Sequence, residues 1–143
     1  MLDATEVTAA QLAALSRHAE AAARQAYAPY SNFFVGAAIL IDTPSGETHI
    51  VAGCNVENAS YRLTTCAEQT AIASAVLQYG PKIRVRAVAV QNLNQSACQP
   101  CGACRQTIAE FAAAEAIILF PSHSGPTQCT LAELLPASFH LVP

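Results

Sequence analysis

Residues Val85–Phe120 read VRAVAVQNLNQSACQPCGACRQTIAEFAAAEAIILF, and the order of patterns within them sets the fold class. Val85-Arg86-Ala87-Val88-Ala89-Val90 is a strand-sized run rich in β-branched residues. A loop with Pro100 leads to a helical segment, about 103–114, that carries Ile108, Ala109, Phe111 and Ala112. Ala116 to Phe120 is then a further apolar strand. A strand, a helix and a strand in that order suggest a βαβ unit.

Working towards the amino terminus, residues 66–79 read as another helix, with Ala67, Ala71, Ile72, Ala75, Val76 and Tyr79 on one broad face and Gly80-Pro81 ending it. Before it, residues 33–41 and 48–54 read as strands joined by Asp42-Thr43-Pro44-Ser45-Gly46, a hairpin connection. The polar stretch Asn55 to Thr65 follows them. A first helix is signalled by Thr8 with Gln11, which fit a capping box, and by Leu12, Leu15, Ala19, Ala22, Ala23 and Ala26 at helical spacing. Ala28-Pro29-Tyr30-Ser31-Asn32 breaks that pattern, and Leu131 to Leu135 reads as a short terminal helix. The order is α-β-β-α-β-α-β-α without repeat or linker. It implies a mixed central sheet flanked by helices, a three-layer α-β-α arrangement forming one domain over residues 1–143.

Composition narrows the function classes. The chain is 52% hydrophobic and 12% charged, which marks a globular protein, and the low charge fraction suggests a surface partly covered by partner subunits. Seven basic residues and a net charge of −3 provide no dense basic field for a polynucleotide. The amino-terminal MLDATEVTAAQ has neither the basic nor the apolar region of a signal peptide. The strongest apolar run, Phe33 to Ile41, is strand-sized and too short for a membrane span. The cell interior is therefore the expected location, where the six cysteines are free thiols or metal ligands and not disulfides.

Two segments carry the chemistry: Thr65-Cys66-Ala67-Glu68 at one helix start, and Pro100-Cys101-Gly102-Ala103-Cys104 at the other. If both helix starts meet at one sheet edge, three thiols and a carboxylate come together. Three thiolates hold zinc tetrahedrally and leave a fourth position for water, the arrangement of a catalytic site. Helix amino termini offset the excess negative charge of three thiolates, with Cys66 and Cys104 expected in first helical turns. Glu68 is then free to shuttle a proton. Each fragment alone has a plainer meaning. Thr65-x-x-Glu68 fits a capping box, and Cys101-x-x-Cys104 fits a redox pair or half a structural zinc site. Cys98-x-x-Cys101-x-x-Cys104 lacks the fourth cysteine and trailing proline of an iron–sulfur run. Cys54 and Cys129 read as small core residues.

At these residues the sequence resembles the cytidine deaminase family, the small nucleoside-acting branch of the zinc deaminases. Cys66-Ala67-Glu68 and Pro100-Cys101-Gly102-Ala103-Cys104-Arg105-Gln106 carry the likeness. So do Ala28–Ala38, Gly53–Tyr61 and Leu134-Leu135-Pro136-Ala137-Ser138-Phe139. The resemblance implies hydrolytic deamination of cytidine and deoxycytidine by zinc-activated water, with one zinc ion per subunit and no organic cofactor. It implies that Cys66, Cys101 and Cys104 ligate the zinc and that Glu68 is the proton shuttle. It places Asn55 and Glu57 at the ribose hydroxyls and Phe33 against the pyrimidine, and adds Ala67 to the substrate-binding set. Tyr61 and Phe139 are expected at a surface where one subunit completes another's pocket, in a cytoplasmic homotetramer.

Two departures stand out. Gln69 occupies the place where the family often has Arg, so thiolate stabilisation is expected from amide donors, helix dipoles and Arg105. The tail Phe139-His140-Leu141-Val142-Pro143 ends without the Gly-Pro-x-x-Leu continuation often seen. Two rival readings remain: a deaminase of a nucleotide, nucleobase or aminonucleoside, and a non-catalytic domain stabilised by zinc. Asn55-x-Glu57 favours a sugar with free hydroxyls over a phosphate. Glu68 and the missing fourth protein ligand disfavour a closed structural site.

Overall fold

The computed structural model describes residues 6–143. Met1–Thr5, on which the leader-free reading and the start of the domain span partly rest, lie outside the described residues.

Helix α1, Ala9–Ala23, starts where the sequence signals it. Thr8 Oγ1 accepts from the Gln11 amide at 3.1 Å and Gln11 Oε1 accepts from the Thr8 amide at 2.9 Å, closing the expected capping box. The helix ends at Ala23, so Ala26 falls beyond it. Strands β1 (Val35–Asp42) and β2 (Thr48–Cys54) form the antiparallel hairpin. Helix α2 (Ala67–Tyr79) leads to β3 (Arg84–Asn92), and α3 (Gly102–Phe111) leads to β4 (Ala112–Ser122). Strand β5 (Gly125–Thr130) and the short α4 (Leu131–Leu134) complete the described chain.

The sheet runs β2-β1-β3-β4-β5. Strand β1 is antiparallel to both neighbours, β3 and β4 are parallel, and β5 returns antiparallel to β4. The mixed sheet with helices on both faces is the expected class. On one face, Leu15 and Ala19 of α1 pack on Ala38, Leu40, Ala87 and Ala89. On the other, Ile39, Ile41, Val88, Val90 and Ile118 meet Ala71, Ile72 and Ala75 of α2 and Ile108 and Ala109 of α3. Two glycines set how closely helices approach the sheet. A Cβ on Gly36 would lie 1.9 Å from the Ala19 carbonyl oxygen, and one on Gly53 would lie 2.3 Å from the Ala71 nitrogen.

Three further details differ from the sequence reading. Helix α3 stops at Phe111, and Ala112–Ala114 join β4, because Ala112 pairs with Val85 and sheet pairing overrides alanine's preference for helix. The order gains a strand, β5, whose Gly-Pro-Thr-Gln-Cys-Thr has no apolar alternation to announce it. Cys66 precedes the first turn of α2 as its N-cap, so it caps the helix from outside.

Candidate active site at the sheet edge

The topology explains why the two thiol-bearing segments meet. Strands β2 and β3 both run antiparallel to β1, so they are parallel to each other and end at the same edge. Gly36 of β1 lies opposite Cys54 of β2 on one side and Gln91 of β3 on the other. Helices α2 and α3 begin beyond those two strand ends, the position where open α/β sheets place their ligands. Strand β1 begins at that edge too, which brings Phe33 there.

Cys66 is the N-cap of α2 and Cys101 the N-cap of α3, with Cys104 in the first turn of α3. The three sulfurs lie within 4.8 Å of one another. Tetrahedral zinc with bonds of about 2.3 Å would hold such sulfurs roughly 3.8 Å apart, a spacing that falls inside that bound. The Cys66 thiol is drawn down to about 7, first by a hydrogen bond from Cys104 that outweighs burial and the Glu68 charge. The same bond, with burial, pushes the Cys104 thiol up. Thiols competing for protons in this way are a donor set that a metal ion satisfies by displacing them. Zinc fits these residues, and its bound form supplies Lewis acidity.

Glu68 is 4% exposed, and its Oε2 lies 3.4 Å from Cys104 Sγ. Burial raises its pKa, against smaller lowering effects from its own backbone amide and Cys104. The capping box here uses Cys66 and Gln69, since the Cys66 amide donates to Gln69 Oε1 at 3.0 Å. The Thr65–Glu68 frame expected from sequence is one residue out of register, and Glu68 is thereby freed from capping. Gln69 Oε1 is thus engaged by the backbone at the start of α2.

The thiols and Glu68 border a cavity of about 270 Å³, which Phe33, Asn55, Glu57 and Ala67 also line. Asn55, 8% exposed, donates from Nδ2 to the Phe33 carbonyl at 2.8 Å and accepts at Oδ1 from the Val35 amide at 2.9 Å. One N–H and one lone pair of its amide are left for a ligand. Glu57 accepts from the Tyr30 amide at 2.9 Å, the Ser31 amide at 3.2 Å and Ser31 Oγ. The Ser31 hydroxyl leads in lowering the Glu57 pKa. Tyr61, 79% exposed, and Phe139, 69% exposed, stand outside this cavity. Tyr61 lines an adjoining hollow that shares Ser31, Glu57 and Thr64 with it, and its ring meets Tyr30 edge-on at 6.4 Å.

Ser31, Thr64, Cys98 and Gln99 also line the cavity and were not singled out as site residues from sequence. Ser31 lies in the Ala28–Ala38 stretch that carries the resemblance, and Cys98 in a run of three evenly spaced cysteines, so each has a signal in the sequence. Burial, followed by the charges of Glu68, Cys66 and Cys101, pushes the Cys98 thiol up to about 11. It therefore stays a neutral wall residue at neutral pH. Arg105 turns away from the expected role beside the thiolates. Its Nε donates to the Pro100 carbonyl and its Nη1 to the Leu134 carbonyl, both at 2.8 Å, tying the turn before α3 to the end of α4.

Three convergent thiols, a buried carboxylate and an open cavity define a zinc hydrolase centre. The model of the cytidine and deoxycytidylate deaminase zinc-binding region matches residues 9–120. A cytidine deaminase of Halalkalibacterium halodurans is 41% identical over 126 residues, covering 87% of this chain and 91% of that protein. One from Mycobacterium tuberculosis is 42% identical over 127 residues, covering 89% and 88%. The crystal structure of cytidine deaminase from Burkholderia pseudomallei superposes with a TM-score of 0.75 at 40% identity, covering 93% of this chain and 100% of that one. The chain belongs to the cytidine and deoxycytidylate deaminase family, and is a zinc-dependent enzyme of that family.

Proposed function

We propose that this protein hydrolyses the exocyclic amine of cytidine and deoxycytidine, giving uridine or deoxyuridine and ammonia, in the salvage of pyrimidine nucleosides. The observation that carries the reading is the buried Glu68 carboxylate, 3.4 Å from a metal-ligand sulfur, at a cavity with room for one nucleoside. Cys66, Cys101 and Cys104 hold the zinc, which when bound acidifies a water molecule.

The chain's own residues manage the protons and the substrate's position. Glu68 takes a proton from the attacking water and delivers it to N3 of the pyrimidine, which makes C4 electrophilic. After attack at C4, the same carboxylate takes the proton of the new C4 hydroxyl and passes it to the amine, and the C4–N bond breaks as C4=O forms. Water and cytidine are thus converted to uridine and ammonia with no other reactant. The burial that raises the Glu68 pKa suits a group that must hold a proton between two transfers. Phe33 packs on the base with Ala67 beside it. Asn55 and Glu57 bind the ribose hydroxyls, Asn55 through the half of its amide not engaged with backbone.

The working form is a cytoplasmic homotetramer whose pockets are shared between subunits. The exposed rings of Tyr61 and Phe139 support this, since a partner subunit seated on them would remove their apolar faces from water. The described residues include no helix long and apolar enough to cross a membrane. The test is the absorbance change when zinc-loaded protein meets cytidine or deoxycytidine, with Glu68→Ala alongside. The expected result is rapid conversion by the unaltered protein and a rate lower by about 10²–10⁴-fold in the variant. Failure of the intact protein on both nucleosides would refute the reading.

A further inference from the structure

The segment that leads into β1 is held unusually completely. The Asn32 amide donates to the Ala28 carbonyl and the Phe33 amide to Ser31 Oγ, each at 3.0 Å. The Phe34 carbonyl accepts from the Leu93 amide at 3.0 Å, and the Val35 carbonyl from the Asn55 amide at 3.1 Å. Two asparagine side chains take the remaining four backbone groups. Asn55 binds the Phe33 carbonyl and the Val35 amide. From the other side, Asn94 Nδ2 donates to the Asn32 carbonyl at 2.9 Å and Asn94 Oδ1 accepts from the Phe34 amide at 3.1 Å.

Asn94 thus grips the two peptide groups that flank Phe33, one before it and one after, and these fix its backbone torsions. The grip matters because Asn32 is in the left-handed region at φ 54, which a non-glycine residue keeps only when its surroundings hold it. Asn94 is itself anchored. Its amide donates to Asn92 Oδ1 at 3.0 Å, and Asn92, buried at the end of β3, also binds both the amide and the carbonyl of Ser96. Asn94 is not among the residues lining the cavity.

We propose that Asn94 is a positioning residue for the substrate base: by fixing both peptide groups beside Phe33, it holds that ring at the angle the pyrimidine requires. The inference rests on the nucleoside reading above. Because Asn94 lies outside the cavity and its hydrogen bonds go to the backbone beside Phe33 and to Asn92, its loss weakens binding and leaves the chemical step nearly unchanged.

The experiment compares zinc-loaded wild-type protein with Asn94→Ala and Asn94→Asp. It measures kcat and KM for cytidine, the calorimetric Kd for uridine, zinc content and Tm. Asn94→Ala is expected to raise both KM and the uridine Kd by about three- to ten-fold, the worth of one or two hydrogen bonds, with kcat and zinc content held. Asn94 is exposed, so its truncation opens no core cavity. Asn94→Asp keeps the acceptor for Phe34 but loses the donor for Asn32, and should fall between the other two. It also serves if the alanine variant fails to fold. Unchanged KM and Kd in both variants, or a fall in kcat at constant KM, would overturn the proposal. If wild-type protein neither deaminates cytidine nor binds uridine, the nucleoside reading fails and the role of Asn94 falls with it.

Discussion

Ser31 joins two residues that the sequence treats separately. Its hydroxyl donates to Glu57 and accepts from the Phe33 amide, so the carboxylate assigned to the sugar and the ring assigned to the base share one support. The hydroxyl is also the leading cause of the lowered Glu57 pKa. A carboxyl whose folded pKa is depressed stabilises the fold above its unfolded pKa and loses that contribution as pH falls through the folded value. Carbon-detected NMR titration should therefore find the Glu57 midpoint below that of an ordinary glutamate, and Ser31→Ala should move it upward. A midpoint unmoved by that substitution would mean that the two backbone amides alone set it. At this scale the sequence revealed residue types well, since Cys66, Cys101, Cys104 and Glu68 all converge. Hydrogen-bond direction was hidden in it. Gln69 also accepts from the Cys66 amide through Oε1, a bond the sequence does not announce, because the helix begins one residue later than the Thr65–Glu68 pattern implies.

Helix α2 carries both Cys66 and Glu68 and rests on the sheet at Gly53. A methyl group there would meet the Ala67 carbonyl oxygen at 2.7 Å as well as the Ala71 nitrogen, and neither backbone atom can swing aside. Gly53→Ala should therefore push the start of α2 off β2. Overpacking of this kind costs about 1–3 kcal/mol, while a displacement near 1 Å at a reacting group costs about 10²-fold in rate. Paired measurements of Tm and kcat/KM should show activity falling far more than stability; proportional losses would mean that the whole fold has loosened. Element boundaries were legible where local chemistry sets them, as at Thr8 with Gln11 and at Gly80. They were lost where a distant partner decides. Ala112–Ala114 belong to a strand because Val85 is across from Ala112, and β5 exists because β4 offers it an edge.

For the molecule as a whole, zinc held by Cys66, Cys101 and Cys104 would join two helix starts that lie on successive crossovers of one sheet. The buried clusters on both faces of that sheet are built from residues other than the ligands, although Cys104 is itself buried. Chelation should thus leave the far-ultraviolet circular dichroism largely intact. It should also remove a cross-link worth about 3 kcal/mol, lowering Tm by about 10 °C for a chain of this size. Complete unfolding on chelation would show that the metal organises the core; an unchanged Tm would show that zinc binds the folded chain no more tightly than the unfolded one. Gly36 and Gly53 lie at neighbouring levels of the hairpin on opposite faces, so the sheet has a narrow waist where α1 and α2 press from either side. Ala19, which meets Gly36 there, carries no chemistry at all. Over evolutionary time that spot should resist enlargement almost as strictly as the zinc ligands resist replacement, so a purely geometric constraint would leave the same imprint as a catalytic one.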